Sequence, residues 1–327
     1  MIKIGIIGTG SMGKNHVRVC SELKNVKLIG VSDIKKSNVQ LVAQRFGIKA
    51  FLDYRDLLPK VDAAIIATPT KTHYKIAKDL LENGKHILIE KPICNTVENA
   101  KELTIKAENN GVILAVGHIE RHNPVVKFIK NSIKNKRFGE LISIASKRVS
   151  KFSGRILDVG VIFDFGVHDI DVMRYLIGEV KSVYAKAGTF NKNISYEDHA
   201  NIILNFKSGI CGVIEVNWLT PIKIRKLFLT CSNNFVEADY ISQSVKISSS
   251  SFKKIDEMDL FRTPIEYNIN QMALEKKEPL KNEIENFIKS IETNKQPLAT
   301  GDDGLMVIKI VKAAIQSYKS GEEVKIL

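Results

Sequence analysis

The sequence predicts an α/β protein in two parts. A doubly wound parallel sheet comes first, then an α+β domain on a mostly antiparallel, open sheet. Three observations predict this. Apolar runs of strand length alternate with helical stretches as far as residue 117. A glycine-rich turn, GTGSMG (8–13), follows the first of those runs directly. Beyond residue 118 the strand-like stretches cluster, with few helices among them.

Each element has its own signal. IKIGII (2–7) is the unbroken apolar run that a strand covered on both faces requires. Met12 to Leu23 reads as a helix and VKLIGVS (26–32) as the second strand. Val39, Val42, Ala43 and Phe46 recur at helical spacing. Asp62 to Ala67 is another buried strand, and Lys71 to Glu82 is a helix stopped at Asn83-Gly84. HILIE (86–90) is a strand; Asn95, with Glu98 three residues on, caps a helix that runs to about Asn109. VILAVG (112–117) completes the set, placing the first domain at 1–118 and the second at 119–327. In the second, Asn123-Pro124 opens a short helix and Asp164 to Leu176 forms another. Strand-like stretches span 141–150, 180–187, 200–206, 210–219 and 223–231, with weaker ones to about 248. The serine-rich patch Ser248 to Phe252 reads as a loop, and two helices, 281–293 and 303–319, close the chain.

Composition narrows the function classes. The 327 residues suffice for two domains, and 44% hydrophobic with 26% charged residues is ordinary for a globular protein. The apolar runs fall far short of the ~20 residues of a membrane helix, and no signal-like segment precedes the first strand. A cytoplasmic protein is expected, with no membrane partner. The four cysteines form no CxxC pair and read as small buried thiols, with neither disulfide nor metal site. The formal charge is +13, but the lysines are scattered among acids and no basic run is interleaved with aromatics. Nucleic acid is therefore not expected, whereas anionic small molecules suit the charge.

Gly8, Gly10 and Gly13 fit GxGxxG after a strand and at the opening of a helix. Gly8 permits a tight turn, Gly10 lets a pyrophosphate approach, and Gly13 allows helix and sheet to pack closely. Asp33, at the end of the second strand, is the acid that such sites place on the adenosine ribose. It favours NAD over NADP, a preference that Lys35 and Lys36 soften. EKP (90–92) puts Lys91 at a strand's carboxyl end, where ligands of doubly wound sheets bind. In DFGVH (164–168), Asp164 and His168 share a helix face at i and i+4, an arrangement suited to a general base. His73 and His118 remain unassigned.

Taken together, GTGSMG, ATPTKTH (67–73), EKP and the D-x3-H element resemble the GFO/IDH/MocA oxidoreductases along essentially the whole chain. The resemblance implies an N-terminal Rossmann domain and a C-terminal domain whose open sheet serves oligomerisation, as a homodimer or homotetramer. It implies Lys91, Asp164 and His168 as the catalytic set. Ser11, Met12, Thr68, Pro69, Glu90 and Lys91 would join the glycines and Asp33 around NAD. GHIERHNPVV (117–126), GRILDVGVIFDFGVHDIDVMRYL (154–176) and EPLKNEIENFIKSI (278–291) further resemble the UDP-N-acetylglucosamine 3-dehydrogenases, with His122 where a phenylalanine is usual. The expected reaction is oxidation of a sugar's secondary hydroxyl, the 3-OH of UDP-N-acetylglucosamine, with a downstream aminotransferase as pathway partner. Arg121, Asn123 and Arg155 are the candidates for holding the UDP. The competing readings are a free sugar or inositol dehydrogenase, an NAD-dependent glycosidase and a non-catalytic nucleotide sensor.

Overall fold

The computed structural model describes residues 1–152, 154, 159–252 and 265–326. They form two compact units, and neither is a single stretch of chain: the first takes 1–122 and 278–309, the second 123–277 and 310–327.

The first unit is a six-stranded parallel sheet in the order β3-β2-β1-β4-β5-β6. Its strands are β1 (Ile2–Ile7), β2 (Val26–Ser32), β3 (Lys49–Phe51), β4 (Ala63–Ile66), β5 (His86–Glu90) and β6 (Leu114–Gly117). Helices α1 (Ser11–Glu22), α2 (Lys36–Phe46), α3 (Thr70–Glu82) and α4 (Val97–Asn109) connect them. The apolar runs are buried as expected: Ile4, Ile6, Ala63, Ile65, Ile66, Ile87 and Ile89 are all inaccessible to solvent. The order reverses between β1 and β4, which leaves a crevice beyond the carboxyl end of β1. Helix α4 begins one residue later than the Asn95–Glu98 spacing implied. Thr96 is its cap, its hydroxyl accepting from Asn99 N–H at 3.2 Å.

The second unit carries α5 (Pro124–Lys134), β7 (Leu141–Val149), α6 (Val167–Ile177), β8 (Val180–Gly188), β9 (His199–Phe206) and β10 (Cys211–Asn217). It continues through β11 (Ile224–Cys231), β12 (Phe235–Asp239), β13 (Ser244–Phe252) and β14 (Ile265–Ala273). The chain ends with α7 (Pro279–Thr293), α8 (Gly301–Ser320) and β15 (Val324–Lys325). The nine-stranded sheet runs β14-β13-β12-β11-β7-β10-β9-β8-β15, antiparallel except where β7 meets β10. One face is core: Ile144, Ile202, Leu204, Ile214, Val216, Leu227 and Leu229 are at most 1% exposed. The alternate residues point the other way, and Val213, Phe235, Tyr267 and Ile269 are exposed there. The serines at 248–252 lie in β13, not in a loop. Their backbone is paired with β14, from Ser248↔Ile269 to Phe252↔Ile265, and that ladder overrides a weak strand propensity.

A cut at residue 118 therefore misses Glu278–Lys309. Leu280, Ile284, Phe287 and Ile288 of α7 share one buried cluster with Val17, Cys20 and Leu23 around α1. Arg18 pairs with Glu278, Val116 N–H donates to Ala299 O at 3.0 Å, and Asn282 Nδ2 donates to His122 O at 3.0 Å. An amphipathic helix goes where its apolar stripe finds cover, and sequence position does not decide that. Among the described residues, no helix is long and apolar enough to cross a membrane.

Candidate active site

The glycine loop links β1 to α1. Gly8 has φ +99° and lies so close to Ala67 that a Cβ there would come 2.5 Å from its carbonyl oxygen. A Cβ on Gly13 would come 2.0 Å from Gly8 O, so only glycine lets the helix meet the turn. At Gly10 a Cβ would meet nothing within 4 Å, so the loop is open on that side. Helix α1 has no side chain capping its start and no acid in its first turn. Ser11 and Met12 are exposed there. A pyrophosphate fits such a terminus, since the dipole and the first N–H groups favour an anion.

Asp33 has a double task. Its Oδ2 accepts from Thr9 N–H and from the Thr9 hydroxyl, both at 2.7 Å, and its Oδ1 accepts from Lys35 N–H at 2.9 Å. Burial works against its charge, yet these bonds and the Lys35 ammonium hold it below the usual carboxylate range. An ionised carboxylate has acceptor sites left for ribose hydroxyls. It therefore anchors the glycine loop.

Glu90 and Lys91 stand at the end of β5. The Lys91–Pro92 peptide is cis. Glu90 is nearly buried, with its side chain 12% exposed, and its Oε1 lies 2.8 Å from Nε2 of His16. A carboxylate only accepts, so Nε2 carries the hydrogen. Glu90 Oε2 also accepts from Lys91 N–H, at 3.3 Å. Burial opposes the charge of Glu90, but His16 and then the Lys91 charge hold it below the ordinary range. His73, buried on α3, sets its ring between two carbonyl oxygens, with Nε2 2.8 Å from Thr68 O and Nδ1 2.9 Å from Pro92 O. It ties the Thr68–Pro69 loop beyond β4 to the turn beyond β5. Burial is the main reason that its imidazole titrates below the usual value. The unassigned His73 is therefore a clamp. His16 was missed altogether, although its place one helical turn after Gly13 puts it on the sheet-facing side of α1.

In the second unit, Asp164 and His168 are both half-buried. They do not share one regular α-helix: Ile162–Gly166 is a π-helical turn, and α6 starts at Val167. Such wide turns need outside support. Here Glu197 supplies it, its carbonyl accepting from Val161 N–H at 2.9 Å and its Oε1 from Ile162 N–H at 3.2 Å. A Cβ on Gly160 would come within 2.1 Å of that carboxyl. Burial pushes Glu197 above the normal carboxylate range. Beside His168, Asp169 accepts from Arg148 Nε at 2.7 Å, and both side chains are 1% exposed. Asp198, fully buried, accepts from Phe190 N–H and Asn191 N–H and contacts His199 Nδ1 at 2.8 Å. None of these supports was singled out from the sequence.

The proposed UDP-holding residues fare differently. Arg121 is 3% exposed, and its Nη1 donates to Asp303 Oδ2 and Leu298 O, both at 2.9 Å. Asn123 is 2% exposed and caps α5, its Oδ1 accepting from Val125 N–H at 3.1 Å and its Nδ2 donating to Tyr240 O at 3.2 Å. Both side chains have partners inside the protein, as a buried guanidinium or amide requires. Arg155 lies outside the described residues.

Comparison with known proteins agrees with this geometry. Residues 2–118 match a family described as an oxidoreductase family with an NAD-binding Rossmann fold, and residues 126–235 match the GFO/IDH/MocA C-terminal domain. An uncharacterised oxidoreductase of Bacillus subtilis, YrbE, is 32% identical over 99% of this chain and 96% of its own. The scyllo-inositol 2-dehydrogenase (NAD(+)) of the same organism is 27% identical over 99% of this chain and 96% of its own. The solved UDP-N-acetylglucosamine 3-dehydrogenase of Acidithiobacillus ferrooxidans is 25% identical, with a TM-score of 0.84 over 98% of this chain and 97% of that one. The first unit's sheet, its glycine cradle and these matches lead to one conclusion: the chain belongs to the GFO/IDH/MocA family of NAD-dependent oxidoreductases.

Proposed function

We propose that this dehydrogenase oxidises the 3-hydroxyl of UDP-N-acetylglucosamine to a ketone. The supporting observation is the 98% coverage by the Acidithiobacillus enzyme together with the three stretches quoted above. The +13 charge suits a diphosphate ligand. Bound NAD supplies the hydride acceptor. Gly8, Gly10, Gly13, Ser11 and Met12 hold its pyrophosphate; Asp33 takes the adenosine ribose; Thr68, Pro69 and Glu90 line its nicotinamide half. His168 accepts the hydroxyl proton, and Asp164 orients the imidazole or the substrate. Lys91 donates a hydrogen bond to the same oxygen as negative charge grows on it. A 3-keto nucleotide sugar is a substrate for transamination, which makes an aminotransferase the proposed pathway partner. The exposed sheet face carrying Val213, Phe235, Tyr267 and Ile269 is proposed to meet a second copy of the chain, as a homodimer or homotetramer. The cytoplasm is the proposed compartment.

The inositol dehydrogenase relative supports a second reading, oxidation of a free polyol. Absorbance at the reduced-nicotinamide band, with NAD, a ketone trap and a panel of UDP-N-acetylglucosamine, UDP-glucose, N-acetylglucosamine and myo-inositol, separates the two. Turnover with the UDP sugar alone supports the first reading. Turnover with myo-inositol replaces it with the second.

A further inference from the structure

Glu90 is a charged group that the proposed reaction does not use. Its position is well defined. It ends β5 opposite Gly117, the last residue of β6, and a Cβ on Gly117 would come 3.2 Å from Glu90 Oε2. The carboxylate therefore lies across the carboxyl edge of the sheet. Asp33 stands on the β2 side of the crevice and the glycine loop over β1, so a dinucleotide that follows both extends its other half over β4 and β5. Glu90 is on that side.

One buried partner holds it in place. Nε2–H of His16 donates to Oε1, while Nδ1 of His16 is buried with no partner among the described residues. His16 thus fixes the carboxylate in place at the end of β5.

We propose that Glu90 is a fixed counter-charge for the oxidised nicotinamide, making the cofactor site bind NAD+ more tightly than NADH, with His16 as its positioning residue. The proposal rests on the placement of NAD given above. The oxidised ring carries a positive charge and the reduced ring none, so a nearby buried anion discriminates between them. Lys91 acts in the opposite sense. Tighter binding of NAD+ also makes the bound cofactor a weaker oxidant, which shifts the balance on the enzyme toward the alcohol.

The test is binding, not turnover. Dissociation constants of NAD+ (calorimetry) and NADH (fluorescence) would be measured for the wild type, Glu90→Gln and Lys91→Met, with melting curves as a fold control. Glutamine keeps the shape and can still bond His16. Glu90→Gln should weaken NAD+ by about tenfold and change NADH by less than about twofold. Lys91→Met should shift the ratio of the two constants the other way, and it serves alone if Glu90→Gln does not fold. Equal loss of both ligands, or an unchanged ratio in both variants, overturns the proposal. A wild type that binds neither form overturns instead the cofactor placement on which it rests.

Discussion

The two units hold their candidate functional residues in different ways. At the edge of the six-stranded sheet, the glycine loop, Asp33, Thr68 and Lys91 each stand at or just beyond the end of a strand. Parallel strands in one sheet bring all those ends to one side, so short local motifs suffice to assemble them. In the nine-stranded unit, Asp164 and His168 sit on a π turn and its following helix. Glu197, more than thirty residues away, holds the start of that turn, and Arg148 on β7 anchors Asp169. The lesson is that residues presented by strand ends are legible one by one. Residues presented by an irregular helix depend on remote, buried partners that no local pattern announces.

The largest expected effect tests whether the two regions serve one reaction. Lys91→Ala and His168→Ala should each lower kcat by ~10²- to 10⁴-fold while NAD still binds. Near-normal kcat in either variant would remove that residue from the proposed chemistry. Next comes the dependence on remote support. Arg148→Met leaves Asp169 buried without its cation and should cost ~3–5 kcal/mol in urea unfolding. A loss below about 1 kcal/mol would mean that the pair is not what holds α6. Arg121→Met should cost less, ~1–3 kcal/mol, because Thr300 still donates to Asp303 Oδ2. A selective rise in KM for the sugar substrate would support Arg121 at the substrate site, and a KM within about twofold of the wild type would remove it from there.

Smaller effects probe the sheet edge. Gly13→Ala, whose Cβ would meet Gly8 O, should weaken NAD by about tenfold in equilibrium binding. Unchanged affinity would show that the loop tolerates a wider turn. Asp33→Asn should change the NAD-to-NADP affinity ratio by about tenfold toward NADP. It should also flatten the acid limb of stability. A folded pKa below the unfolded one adds stability that is complete above about pH 4 and is lost as pH falls through the folded value. An acid limb identical in the variant would mean that Asp33 contributes nothing through its charge.

Most of the first sheet was legible because its strands are continuous apolar runs and its turns carry glycine, signals read within about ten residues. The same signals placed the GxGxxG turn, Asp33 and Lys91 at the ends of β1, β2 and β5. The cluster of strands that forms the mostly antiparallel second sheet was legible too. The amino-acid sequence by itself determined which residues could form these elements and which were candidates for chemistry. The tertiary structure decided the rest. It returned α7 to the first unit because that helix's apolar stripe is covered there. It drew Ser248–Phe252 into a strand because β14 lay alongside to bond it. It gave Arg121 and Asn123 buried protein partners, and it set His16 against Glu90, seventy-four residues away in sequence. In each case the deciding energy is burial or the satisfaction of a buried polar group. Both belong to pairs of distant residues, and neither is a property of a segment alone.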